Sequence, residues 1–189
     1  MKLRHCLLAM AIAAMPLAAV QAVPADVAAA VSTPGRPAEA VALDAGRRPA
    51  EILRFGGLRR GDHALDLYTD SAYYGEIMAR AVGPTGNVFG WQPTEFTQDS
   101  TRRDLNGVMQ RSPNFHVVYT PANGFSLPAN AFDFAMIHLN YHDFYWESAR
   151  YGLPRMDPAA ILAGLRADVD AAEVGGGASS TMGHHARLK

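Results

Sequence analysis

The chain has 189 residues, 49% hydrophobic and 19% charged, which is the balance of one globular domain and excludes a disordered or fibrous chain. Its formal net charge is −1 and it holds no long Lys/Arg run, so the electrostatic footprint of a nucleic-acid binder is missing. Small-molecule chemistry is expected, with a protein partner left open.

Lys2 and Arg4 precede an apolar run from Cys6 to Val20, and Val20-Gln21-Ala22 offers small residues for cleavage. Residues 1–22 are therefore expected to be a secretory signal that sends the chain to the periplasm or outside. The run, about 15 residues long, is shorter than the ~20 a membrane-crossing helix needs, so no membrane attachment is expected after cleavage. Cleavage removes Cys6, the one cysteine, and with it any disulfide.

Residues 23–46 are expected as an exported linker or loosely docked N-terminal arm, because Ala, Val and Pro dominate and Ser32-Thr33-Pro34-Gly35 interrupts any helix. An α/β domain is expected over 47–189, least domain-like after about residue 170. A short helix over Ala50–Phe55 starts at Pro49 and stops at Gly56-Gly57. After the turn at Arg59–Asp62, Ala64–Tyr68 reads as a strand. A helix follows with apolar Tyr74, Ile77, Met78, Ala81 and Val82 at helical spacing. Gly83-Pro84-Thr85-Gly86 ends it, and Asn87–Trp91 reads as a second strand, closing a parallel βαβ unit with a right-handed crossover.

A weaker helix over 94–111, strands at Phe115–Tyr119 and Phe132–His138, and a helix beginning at Asp157-Pro158 continue the alternation. Ile161, Leu162, Leu165 and Val169 form the apolar stripe of that last helix. Alternating strands and helices predict a parallel sheet flanked by helices. In such a sheet ligands bind beyond the carboxyl ends of the strands, so the first strand-to-helix loop, Tyr68–Tyr73, is the place to look.

The stretch from Gly61 to Gly90 resembles the opening of class I S-adenosylmethionine-dependent methyltransferases. Ala64-Leu65-Asp66-Leu67 stands for the first strand with its terminal acid, and Gly83–Val88 for the turn into the second strand. The run Phe132–Asp143, ending in Asn140-Tyr141-His142-Asp143, is similar to the fourth strand and following loop of an exported subgroup of such enzymes. The resemblance covers roughly residues 47–165 and implies a Rossmann-like methyltransferase sheet with flanking helices. The family continues through two further strands that close its sheet, so the sheet here is expected to be incomplete at the C-terminus.

By the same resemblance, S-adenosylmethionine is expected against Asp66, Tyr68, Asp70, Ala72, Tyr73 and Gln92, with His138 and Asn140 at the mouth of the fourth strand. Tyr141, His142 and Asp143 become candidates for acid/base catalysis or substrate orientation. Two departures weaken the cofactor site: Asp70, Ser71 and Ala72 stand where the family has glycines, and Gln92 follows the second strand where the family has an acid. The implied activity is methyl transfer to a small molecule. The alternative is a non-catalytic methyltransferase-like domain that binds a ligand or protein, or a truncated relic.

His138, His142 and Asp143 make no metal-ligand spacing signature, so no metal is expected. Tyr141, Phe144, Tyr145 and Trp146 read either as an apolar wall for a substrate or partner or as core. His184-His185 are read as terminal residues without a role.

Overall fold

The apolar run Ala64-Leu65-Asp66-Leu67 has every side chain buried, as a strand covered on both faces requires. A computed structural model describes residues 23–126 and 131–165 and places this strand, β1 (His63–Leu67), at the centre of a four-stranded parallel sheet. β1 pairs on one side with β2 (Asn87–Pro93) and on the other with β4 (Phe134–Ile137); β3 (Phe115–Thr120) lies outside β2, giving the order β3-β2-β1-β4. Leu67 is level with both Trp91 and Ile137, so β1 and β4 end together while β2 runs two residues further, to Pro93.

Helix α5 (Tyr73–Val82) joins β1 to β2, and α6 (Asp99–Arg111) joins β2 to β3. With α1 (Val27–Ser32) and α4 (Pro49–Gly56) they cover one face, where Val27, Leu53, Ile77, Met78, Val82, Leu105 and Phe115 form the core. The other face packs Leu65, Leu67, Tyr68 and Trp91 against Phe132, Phe144, Leu153, Met156 and Leu165. The last of these sits on a helix over residues 158–165, whose first turn Asp157 caps by accepting bonds from the Ala159 and Ala160 amides.

Local chemistry explains the ends. α5 closes at Gly83 (φ 74°), and Asn114 donates through one amide to the carbonyls of Ala79, Gly83 and Gly86, which ties the last turn of the helix to the turn that leads into β2. α6 opens with a capping box between Gln98 and Thr101. Glu76, buried in α5, binds Arg80 of its own helix and Arg111 of α6 at 2.7 and 2.8 Å, which ties the two helices together.

The segment before residue 47 differs from the expected linker or loose arm. It forms α1, α2 (Ala38–Val41) and α3 (Asp44–Arg47), and Val27 and Ala30 are buried against α4 and α5. Ser32-Thr33-Pro34-Gly35 ends α1 instead of preventing it: Ser32 is the last helical residue, and Arg80 donates to the carbonyls of Thr33 and Pro34. Arg36 then binds Asp44 through two bonds of 2.8 and 2.9 Å. The signal over 1–22, Val169, His184-His185 and any strands that would close the sheet lie outside the described residues. Among those described, no helix is long and apolar enough to cross a membrane.

Candidate functional site

The turn from β1 into α5 has an unusual backbone for its composition. Tyr68 (φ 54°), Asp70 (φ 46°) and Ala72 (φ 53°) all adopt the left-handed conformation that glycine takes without strain. Each costs on the order of 1 kcal/mol, and local bonds offset the cost. The Thr69 amide donates to Trp91 O at 3.0 Å, the Asp70 amide to Gln92 Oε1 at 2.9 Å, and the Ala72 amide to Thr69 O at 2.6 Å. The sequence placed the missing glycines at Asp70, Ser71 and Ala72; the positive φ values fall at alternate residues, with Tyr68 included and Ser71 excluded.

Asp66 sits beneath this turn, 4% exposed. It accepts a 2.8 Å bond from Thr69 Oγ1 and another from the Gly75 amide. Burial pushes its carboxyl up to about 7 against the pull of those two bonds, so it changes charge near neutral pH. Gly75 is required here, because a Cβ would come within 2.5 Å of Phe115 Cε2 and 3.0 Å of Asp66 Oδ2.

Above Asp66 lies an open cleft of about 380 Å³, counting the solvent at its mouth. Its walls are Tyr68, Thr69, Asp70 and Ser71 from the turn, Tyr73 and Tyr74 from α5, His138, Leu139 and Asn140 after β4, and Arg47 from the end of α3. Tyr73 donates to Asp44 Oδ1 at 2.7 Å, and burial together with that carboxylate keeps its hydroxyl protonated well above the usual range. Tyr74 donates to the Arg47 carbonyl at 3.1 Å, and its ring lies 4.6 Å from that of His138. Burial, with the charge of Arg47, holds His138 below the ordinary imidazole range, so it is neutral at pH 7.

The expected cofactor residues Asp66, Tyr68, Asp70, Tyr73, His138 and Asn140 thus meet around one cleft. Ala72 and Gln92 do not line it. Ala72 is buried at the start of α5, and Gln92, 2% exposed, points inward to brace the loop through the Asp70 amide. The strand ends with its amide already engaged.

The expected catalytic trio is placed differently. Leu139 takes a φ of 66° and leads into a 3₁₀ turn over Tyr141–Tyr145, so Tyr141, His142 and Asp143 stand outside the cleft walls. The His142 side chain is 78% exposed, with Nε2 3.1 Å from Asp143 Oδ1. Asp143 accepts a 3.1 Å bond from Asn140, which fixes that cleft residue, and Tyr141 shares a 3.2 Å bond with Tyr145. The aromatic cluster divides: Phe144 is core, whereas Tyr141, Tyr145 and Trp146 are exposed.

Arg47, Thr69, Ser71 and Leu139 were not anticipated as site residues. Thr69 and Ser71 fall inside a loop already singled out. For Arg47 the only hint is the pair Arg47-Arg48 just ahead of the helix-starting Pro49. Among the described residues no cluster of His, Cys, Asp and Glu is arranged to hold a metal.

The chain matches no protein-family model and no curated protein. Solved structures with a similar chain path include a SAM dependent methyltransferase from Aquifex aeolicus, at 22% identity, covering 71% of this chain and 67% of that one with a TM-score of 0.48. A TehB-like SAM-dependent methyltransferase from Corynebacterium glutamicum is 17% identical, with 72% and 70% covered and a TM-score of 0.44. Aeropyrum pernix fibrillarin in complex with natively bound S-adenosyl-L-methionine is 20% identical, with 50% and 42% covered and a TM-score of 0.37, so the chain spans under half of that protein. No site residue is transferred from them. The chain's own strand order, β3-β2-β1-β4 with all pairs parallel, makes it an α/β fold with a Rossmann-like sheet and flanking helices.

Proposed function

We propose that the cleft beyond β1 binds S-adenosylmethionine and that the chain is a methyltransferase acting on a small molecule after export to the periplasm or beyond. The observation that carries this reading is the β1–α5 turn. Its three left-handed residues follow a glycine-type path without glycine, over a buried acid, at the carboxyl edge of the central strand.

The residues present fit such a ligand. Asp70 offers a carboxylate to a cationic group, joined by Asp66 when it ionises near neutral pH, Arg47 offers a guanidinium to an anionic one, and Asn140 offers an amide to hydroxyls. When bound, S-adenosylmethionine supplies an electrophilic methyl group. The chain's own part is to hold the two reactants in line, since proximity and orientation account for most of the barrier reduction in a simple displacement. With Tyr141, His142 and Asp143 outside the cleft and the Tyr73 and Tyr74 hydroxyls engaged, neutral His138 is the group placed to take the proton that an acceptor releases.

Calorimetric titration of the purified chain with S-adenosylmethionine and S-adenosylhomocysteine tests the reading. Micromolar dissociation constants that rise by about tenfold or more in Asp66→Ala support it. No heat and no thermal shift at millimolar ligand, from a chain with a folded circular-dichroism spectrum, overturn it. Binding without transfer of a labelled methyl group to any small acceptor selects the non-catalytic alternative.

A further inference from the structure

Leu139, two residues past β4, stands in an unusual setting. It lines the cleft, is 68% exposed and takes a φ of 66°, a backbone conformation that strains a leucine and not a glycine. A large apolar side chain held in the open by a strained backbone does nothing for folding, and residues of this kind collect where a ligand is met.

The chain continues in the same character. Tyr141 follows the wall residue Asn140 directly and stands just outside the wall, 39% exposed. Its ring is set edge-on against the buried Phe144 at 5.8 Å and against Tyr145 at 5.7 Å, and the two tyrosine hydroxyls share a bond of 3.2 Å. Tyr145 and Trp146 are exposed as well, and Trp146 stacks on Phe96 at 6.0 Å. Rings held in this way lose little freedom when a flat molecule covers them. Residues 138–146 include no Lys or Arg, and the one acid among them, Asp143, is engaged by Asn140 and His142. The rim therefore suits an uncharged apolar surface, whereas Asp66, Thr69, Asp70 and Ser71 make the rest of the cleft polar. His138, beside Leu139 in the wall, is neutral at pH 7, and its ring lies 4.6 Å from that of Tyr74. A neutral imidazole accepts a hydrogen bond from a hydroxyl.

We propose that Leu139 and Tyr141 form the acceptor subsite at the mouth of the cleft and select an uncharged, flat aromatic molecule whose hydroxyl donates to His138. The inference rests on the reading of the cleft as an S-adenosylmethionine site, and it divides the cleft in two: the polar part serves the cofactor and the apolar rim serves the acceptor.

Calorimetry on the full chain, with S-adenosylhomocysteine and with 2-naphthol as a probe acceptor, tests the assignment. The wild type is expected to bind 2-naphthol with a submillimolar dissociation constant. Decahydro-2-naphthol keeps the hydroxyl and the bulk without the aromatic face, and 2-naphthoate keeps the ring and adds a charge; each is expected to bind about threefold more weakly or worse. Leu139→Gly removes the apolar contact and relieves the backbone, so the melting temperature is expected to hold while the 2-naphthol constant rises about threefold or more. Tyr141→Leu is expected to erase the preference for 2-naphthol over its saturated analogue. Phe55→Ala removes an exposed ring from α4, on the opposite face of the sheet from Phe144, and is expected to leave 2-naphthol binding unchanged. Unchanged 2-naphthol binding in both rim variants, equal binding of the aromatic and saturated alcohols by the wild type, or an equal loss in Phe55→Ala overturns the assignment. Binding of S-adenosylhomocysteine in those same titrations leaves the cofactor site standing. A wild type that binds no S-adenosylhomocysteine, with or without 2-naphthol, overturns the cofactor reading and the acceptor role together.

Discussion

Asp66 is held in a place where its charge is costly. Its folded-state pKa of about 7 lies above the ordinary carboxyl value of 3.8, so the folded chain keeps the proton to higher pH than the unfolded chain does. The associated stability is fully present below about pH 4 and is lost as the pH rises through about 7, a fall of at most about 4 kcal/mol. Asp66→Asn cannot titrate and retains an oxygen for Thr69 or Gly75. Its denaturation midpoint is therefore expected to gain on the wild type between pH 5 and pH 8; parallel pH profiles for the two proteins would sink the argument. Only part of this was legible in the sequence. The terminal acid of the first strand stood out by position, but its burial depends on Gly75 and Phe115, which approach from elements later in the chain. The signs of φ at Tyr68, Asp70 and Leu139 were hidden for another reason: non-glycine residues carry no marker for the left-handed region when tertiary bonds impose it. The outward placement of Tyr141, His142 and Asp143 follows from that concealed turn at Leu139.

Among the elements, α5 is the one on which the site depends most. It opens with the cleft residues Tyr73 and Tyr74, seats against β1 and β3 through Gly75, and binds α6 through Glu76. Gly75→Ala is expected to push α5 off the sheet, costing about 1–3 kcal/mol and weakening ligand binding together with stability. A melting temperature and a dissociation constant that both stay at wild-type values would show that the helix does not rest on this contact. Strands and α5 were readable because a central parallel strand is a continuous apolar run and the helix shows its period between Gly and Pro breaks. α2 and α3 were not, since four residues are too few to display a helical period and their docking rests on Arg36, Asp44 and Tyr73 meeting across a gap in sequence. Gln92 was placed just past the second strand, but β2 runs on to Pro93 and pairs Gln92 with Tyr119 of β3, a register the sequence of β2 alone does not reveal.

At the scale of the whole molecule, the sheet order sets a sequence of events. β1, α5 and β2 are neighbours along the chain as well as in space, whereas β4 reaches β1 from far downstream: the His63 amide donates to Asp133 Oδ2 across 70 positions. Closing so long a loop before its contacts form is entropically unfavourable, so the β1–α5–β2 unit is expected to be built in the folding transition state and β4 to join afterwards. Val88→Ala, in β2, should then mainly slow folding, and Ala135→Gly, in β4, should mainly speed unfolding; stopped-flow arms that respond the other way round would reverse the order. β4 also delivers His138 and Asn140 to the cleft. A newly made chain would therefore pass through a stage that has its first three strands and its left-handed turn but only half of its ligand site, and the ability to bind would be the last property it acquires.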